Sequence, residues 1–380
     1  MLAGTIVQRA DAGLYFRLCA LALPLSVLGN VMVNWLRMQR RPKMTVVLSL
    51  IFNLLNVPFI IVFVAFLQWG ISGVYVVQII TAVAGTITCV VLMRDWLSPT
   101  YFHLLRLRKM IRYSLPLIPG TLAFWVVSFS DRFFVQVYTN TEEVGLYQVG
   151  SSMAGLIALA TGAFQTAWVP FSMSIHKRDD ANMVYASVLL SYLWLTSLIS
   201  TFLALLAPEA IRLIATERYV GASPVVGILA FGYVMMGLGS ISTLGPSIVK
   251  KTSVAGFAMI AAAGINIVLN ILFVPGMGKI GAALATLMSQ AVVPAYLFYH
   301  SQKLYPIPYR FKPAIGILVL SFVIIALGAN IQFDNVWVNI FSKFTLIASF
   351  VPALFLLRVI TPDQARSLLY RLFTSKRYAV

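Results

Sequence analysis

The chain has 380 residues, 60% of them apolar and 10% charged, where a soluble domain carries about 25% charged side chains. The apolar residues fall in runs of about twenty, the length a helix needs to cross a bilayer core. This predicts an all-α polytopic membrane protein and excludes a transmembrane barrel, whose strands alternate over about ten residues. A net charge of +17 raises nucleic acid as a partner, but the basic residues recur in every second short loop, a topology signal that leaves no nucleic-acid surface to propose.

Eleven spans are expected, at approximately 14–36, 44–67, 71–93, 113–138, 145–170, 183–206, 222–247, 253–274, 279–300, 313–330 and 336–357. Residues 1–11 lack the basic start and apolar core of a cleavable signal peptide. Residues 1–93 read as a partial N-terminal lobe of three spans. A basic loop (Arg37, Arg40, Arg41, Lys43) follows its first span, and the uncharged turn Gln68–Gly70 follows its second. Cys19 and Cys89 lie within apolar runs and read as small buried side chains rather than a disulfide. Residues 94–112 form the longest basic loop, with Arg106, Arg108, Lys109 and Arg112, and join this lobe to a six-helix C-terminal lobe at 113–300.

The second lobe opens with a span broken by Pro116, Pro119 and Gly120, which are expected to kink or loosen the helix. Asp131 and Arg132 sit near its far end, and an intramembrane charge is a functional candidate by default. Glu142 and Glu143 mark the next turn. The small-residue run Gly150–Gly155 allows close helix approach. Lys177 and Arg178 lie on the basic side; the loop Ala207–Gly221 on the other side is neutral in sum. Lys250 and Lys251, then Lys303, Arg310 and Lys312, are basic again. An extra helix pair at 313–357 precedes a basic tail at 358–380. In that tail Leu368, Leu369, Leu372 and Phe373 share one face, which suits a short amphipathic helix on the inner leaflet; a frayed basic tail is the competing reading. Assigning the basic loops to the cytoplasm places the C-terminus inside and, with eleven spans, the N-terminus outside. Trp69, Trp125, Trp168 and Trp337 read as interfacial. His103, His176 and His300 show no metal-ligand spacing, so no metal or cofactor is expected.

A shift of 208 positions superimposes two blocks. Lys43 falls on Lys251, Gly29 on Gly237, and Gly70-Ile71-Ser72-Gly73 on Gly278-Lys279-Ile280-Gly281. Asn53 and Asn56 precede the first turn, Asn266 and Asn270 the second, though out of register. This is the parallel repeat that transporters build around a cavity. Spans 14–93 pair with 222–300, while those from 113 to 206 have no partner. The expectation is a two-lobe transporter lacking its first three helices, roughly 100 residues.

The run SLPLIPGTLAFWVVSFSDRFFV, followed by EEVGLYQVG, resembles the seventh and eighth helices of polysaccharide-biosynthesis membrane proteins. These are the Wzx-type lipid-linked oligosaccharide flippases of the multidrug/oligosaccharidyl-lipid/polysaccharide exporter superfamily. The run GINIVLNILFVPGMGKIGAALATLMSQ is similar to their eleventh and twelfth helices. The resemblance implies a two-lobe, MATE-like fold with alternating access. It implies a polyprenyl-pyrophosphate-linked oligosaccharide as substrate, moved from inner to outer leaflet of the cytoplasmic membrane, with membrane lipids, a polysaccharide polymerase and chain-length proteins as partners.

Such cargo calls for cations and hydrogen-bonding groups in a hydrated cavity. Arg132 can grip pyrophosphate bidentately; snorkelling to the headgroups is the competing reading. Asp131 can balance Arg132 or exchange a proton or cation. Successive helix residues point about 100° apart, so the two need not pair. Gln165, Asn266, Asn270 and Gln290 are candidates to line the sugar path, or else hold helices together. Asn30, Asn34, Asn53, Asn56 and Gln78 are their counterparts in the first lobe. A drug/cation antiporter is the nearest rival, with Asp131 as its intramembrane carboxylate, and a remnant without function is another. A membrane glycan polymerase or ligase is disfavoured, because Ala207–Gly221, the longest outer loop, carries no cluster of His, Asp or Glu.

Overall fold

A computed structural model describes residues 12–39, 41–96, 102–115, 118–251, 253–331, 333 and 336–356. Among them there are helices and no strand, as lipid requires, because a helix satisfies every backbone N–H and C=O internally. They divide into two compact units, Met1–Ile111 and Arg112–Val380. Pro116, Asp334 and the tail from residue 357 lie outside the described residues.

In the first unit, α1 (Ala12–Met38) packs on α3 (Gly70–Met93). Met32, Leu36 and Cys89 form its buried centre. Between them α2 (Pro42–Ile61) starts on a proline, which fits the first helical turn because its missing N–H is not needed there. It ends in a π-helical turn, Val62–Phe66. Gln68 and Gly70 then take positive φ, and the chain reverses. A Cβ at Gly73 would stand 3.1 Å from the Phe63 carbonyl oxygen, so the two helices touch backbone to backbone at the turn. The segment expected as a basic loop becomes helical at α4 (Leu104–Ser114). Its leucines and basic residues interleave so that one face is apolar and the other cationic, the amphipathic pattern that loop-length counting overlooks.

The second unit begins with α5 (Ile118–Tyr138), α6 (Thr141–Ala154) and α7 (Ile157–Ile175). Pro119 and Gly120 sit in the first turn of α5 and so begin the helix rather than kink it. Asn140 caps α6, its Oδ1 accepting from the Glu143 N–H at 2.9 Å. The axis bends by 45° between α6 and α7, at the Gly155 break. Then come α8 (Ala181–Ile214), a 3-10 turn at Glu217–Ala222, α9 (Ser223–Ser242) and the short α10 (Leu244–Ile248). The long α11 (Ser253–Leu304) breaks at Gly278, where φ is 54° and ψ −132°. Its halves fold back on each other: a Cβ at Gly281 would stand 2.5 Å from the Phe273 carbonyl oxygen. Finally α12 (Phe311–Asn330), α13 (Val336–Ala348) and α14 (Phe350–Leu356) lie along the α8 side.

Eight described helices are long and apolar enough to span a membrane, and the α6–α7 pair makes nine. Counting the two halves of α11 separately and adding α5 recovers the eleven expected spans.

Small residues let the second unit close around α9. A Cβ at Gly150 would press within 2.8 Å of Val225. Ala207, Ala222, Ala230, Ala282 and Ala283 are buried in the same core. In the neighbouring core the large aromatics bury their rings and spend their polar tips on backbone carbonyls. Tyr192 donates to Val234 at 3.0 Å, Tyr185 to Ser172 at 2.7 Å, and Trp168 to Ser240 at 3.2 Å. Trp168, expected at the interface, is therefore a core residue, whereas Trp69, Trp125 and Trp337 are exposed. The helix α8 also runs to Ile214, into what sequence counting took as a fifteen-residue loop.

Candidate functional site

Asp131 and Arg132 are adjacent on α5 and point to different neighbours. Asp131 is 1% exposed. Its Oδ2 accepts from the Tyr147 hydroxyl at 2.6 Å and from the Thr286 hydroxyl, and its Oδ1 accepts from the Asn270 amide at 3.1 Å. Asn270 Nδ2 also reaches the Asn266 carbonyl oxygen at 2.9 Å. Asn266 accepts from Ser130 at 2.9 Å and donates to Ser289 at 3.2 Å. One node thus ties α5, α6 and both halves of α11. The arrangement follows from helix geometry: Asn266 and Asn270 are one turn apart on the first half, and Thr286 and Ser289 one turn apart on the second. The fold-back at Gly278 brings the two faces together.

Two hydroxyls and one amide donate to a single carboxylate, and no described cation pairs with it. Asn270 Oδ1 is buried without a hydrogen-bond partner. A proton or a small hard cation fits this set of oxygens. No group of three or more His, Cys, Asp and Glu that could hold a metal occurs among the described residues.

Arg132 faces α6. Its Nε donates to Gln148 Oε1 at 2.6 Å, one terminal nitrogen to the Ser128 carbonyl at 3.1 Å, and the other to Ser151 Oγ at 3.3 Å. The guanidinium lies 5.5 Å from the Phe129 ring centre and 5.8 Å from that of Tyr147. Gln148 in turn donates to Ser152 at 3.3 Å. All its described partners are neutral, so the cation is held in place while its charge stays available for an anion. Tyr147 touches both groups, with its hydroxyl on Asp131 and its ring beside Arg132.

Of the residues expected from the sequence, Asp131, Asn266 and Asn270 come together, and Arg132 stands one position away on its own ledge. Gln165 is half-buried on α7 and takes no part in the node. Gln290 lines a different space, an apolar cavity of about 310 Å³ bounded by Phe124, Val127, Met236 and Met259, where its Oε1 has no hydrogen-bond partner. Asn30 and Asn53 bond back to carbonyls of their own helices, at 3.1 and 2.8 Å. Tyr147, Thr286, Ser130 and Ser289 were missed. Each is an ordinary residue of an apolar run, and only Tyr147, sixteen positions after Asp131 in the adjoining helix, carried a positional hint.

Fold and node together define a multi-pass α-helical membrane protein with polar groups collected inside its helices. A family model described as polysaccharide biosynthesis protein matches residues 4–224, and the chain belongs to that family. It is 22% identical over 203 residues to an uncharacterised membrane protein of Methanocaldococcus jannaschii. That match covers 52% of this chain and 40% of the relative, so the chain corresponds to less than half of that protein's length. Among solved structures, lipid II flippase MurJ in an inward closed conformation superimposes with a TM-score of 0.70 at 16% identity, covering 92% of this chain and 76% of that one. At this identity the likeness establishes the fold, which agrees with the flippase-type architecture expected from the resemblance.

Proposed function

We propose that the protein moves a lipid-linked oligosaccharide across the bilayer, from the inner to the outer leaflet of the cytoplasmic membrane, and acts as a transporter rather than an enzyme. The observation that carries this reading is Arg132, a cation within a spanning helix whose described partners are all neutral. Placing a cation in a span is costly, and a site that gives it no described counter-ion suits a cargo that brings its own negative charge. A pyrophosphate linkage does so, and the forked guanidinium matches two of its oxygens. Gln148, Ser151 and Ser152 add the hydrogen-bonding groups that a sugar hydroxyl needs.

Asp131 takes the coupling role. Loading or releasing a proton or small cation at this carboxylate would change what Tyr147 and Asn270 can donate to, and Tyr147 passes the change to the Arg132 side. Export of organic cations is the rival reading, favoured by the same carboxylate. It is weakened because Asp131 is almost wholly enclosed while the half-buried ledge beside it is cationic. In this reading the C-terminal tail is cytoplasmic, as the basic loops suggest, and polysaccharide polymerase and chain-length proteins are the expected partners.

The test is complementation of a bacterial strain lacking its own oligosaccharide flippase. Arg132→Ala should reduce surface polysaccharide at least about tenfold, the loss expected when a charge-assisted contact worth about 1.5–3 kcal/mol goes. Arg132→Lys should restore part of it, since the charge returns without the fork. Full export by Arg132→Ala at wild-type protein levels refutes the site. Loss of drug tolerance with unchanged polysaccharide supports the rival.

A further inference from the structure

A second crevice, of about 770 Å³, opens between α8, α9, α12 and α13. It lies outside the Asp131 node and the Arg132 ledge. The last turns of α8 and α12 and the first turns of α9 and α13 form its polar end, so that end lies on one side of the helix layer. There Lys343 Nζ donates to Glu209 Oε1 at 2.6 Å, and Asn339 Nδ2 donates to the same oxygen at 3.0 Å. The other two acceptors, Glu209 Oε2 and Asn339 Oδ1, are buried and have no hydrogen-bond partner. Arg212 lines the same end, and its contact with Glu217 is stretched to 3.8 Å and exposed. Away from this end the walls are apolar. Phe231 and Phe322, stacked at 5.0 Å, lie eight residues along their helices from the polar end, or about 12 Å deeper.

The geometry points to a binding site for a phospholipid with a primary-ammonium headgroup. Leaving a buried acceptor unpaired costs about 1–3 kcal/mol, more when it is charged, and two residues of this polar end each carry one. What they lack is an N–H donor carrying positive charge, because Glu209 has only one of its oxygens engaged by Lys343. The nearby Arg212 offers the complement for a phosphate. The apolar depth is far larger than the ~30 Å³ that one water occupies and has few groups to hold water in place, so it takes a chain. Ammonium, phosphate and apolar chain in that order describe one amphiphile, oriented with its head at the helix ends and its tail toward the middle of the layer. An anionic phospholipid would set its phosphate near Arg212 but leave both orphan acceptors unpaired.

The test is native mass spectrometry of the full chain, stripped of lipid and offered phosphatidylethanolamine, phosphatidylcholine and phosphatidylglycerol with identical acyl chains. The expected result is about tenfold stronger retention of phosphatidylethanolamine than of phosphatidylcholine, whose quaternary ammonium has no N–H to donate; this is the size of one charge-assisted hydrogen bond. Glu209→Gln should bring the two close to parity. Because that variant leaves Lys343 unpaired, Glu209→Gln with Lys343→Met removes both charges together, keeps the packing volume and should also show parity. Equal retention of the three lipids by the wild type, a preference for phosphatidylglycerol, no retained lipid, or an undiminished ethanolamine preference in the double variant each overturns the proposal.

Discussion

The hairpin of α2 and α3 and the hairpin within α11 turn over at glycines 208 residues apart, Gly70 and Gly278, both at φ 54°. In each, a second glycine three positions on lets the returning helix touch the carbonyl of a phenylalanine, Phe63 in one and Phe273 in the other. In each, an asparagine of the outgoing helix faces a hydroxyl of the returning one: Asn56 donates to Thr81 at 3.4 Å, Asn266 to Ser289 at 3.2 Å. The surroundings differ. Asn266 is fully buried and continues through Asn270 to Asp131 on α5, whereas Asn56 is only partly buried and its described contact ends at Thr81. The hairpin is thus a common frame, and the chemistry comes from the helix that packs against it.

The largest effect is expected at the turns. In α11, Gly281→Ala sets a methyl group 2.5 Å from backbone that cannot rotate away, and should cost about 3 kcal/mol. The matching Gly73→Ala meets its carbonyl at 3.1 Å and should cost about 1 kcal/mol. Thermal melts of the two variants in one detergent measure the gap; equal melting temperatures would mean that the second turn is packed no more tightly than the first. Removing the carboxylate comes next. Asp131→Ala strands the Tyr147 and Thr286 hydroxyls and the Asn270 amide in a buried site, and a loss of about 2–3 kcal/mol is expected, together with loss of export in the complementation assay. The first hairpin has no equivalent group to delete among its described residues.

The eleven apolar runs, the turn at Gly278 and the kinship of the two hairpins could be read from the chain, because span length and glycine spacing leave marks in one dimension. The register of the asparagines could not. A single shift of 208 leaves Asn56 and Asn266 unmatched, because the first turn holds two more residues than the second: Phe63 and Gly73 are ten apart, Phe273 and Gly281 eight. Only the folded contact with Thr81 or Ser289 restores the match. Asp131 stood out as a charge in an apolar run, but its partners Tyr147 and Thr286 are hydroxyls of types common in such runs, and the fold-back alone makes them neighbours. Trp168 was misplaced for a related reason. Its position near a helix end suits an interfacial ring, yet the Ser240 carbonyl offered its N–H a buried partner. The amphipathic α4 was hidden because attention to net charge reduced its segment to a loop.

At the asparagines the comparison can be sharpened. Asn266→Ala removes a part-buried hydrogen bond to Ser130 and a buried one to Ser289 and loosens Asn270, and should cost about 2 kcal/mol. Asn56→Ala breaks one long bond at a partly buried position and should cost about 0.5 kcal/mol. A ratio near one, measured by paired denaturation experiments, would place the energetic weight in the hairpins themselves and not in the node.

On the second hairpin the smallest effect is expected at a charged lock on its turn, which has no counterpart among the described residues of the first. Glu143 Oε1 accepts from Lys279 Nζ at 2.7 Å, while its other oxygen faces the Lys279 backbone N–H at 3.5 Å, beside Gly278. The two side chains are 26% and 16% exposed, so the pair is screened only in part. Glu143→Gln keeps the shape and the acceptor but removes the charge. The expected cost is about 0.5–1 kcal/mol, shrinking as salt is raised. Because α6 carries both this glutamate and Tyr147, the exchange loosens the tie between the turn and the helix that holds the node. Export should therefore fall more than stability does. If Glu143→Gln melts lower yet exports at the wild-type rate, the lock is a staple for the turn alone, and the difference between the two hairpins resides entirely in Asp131 and its donors.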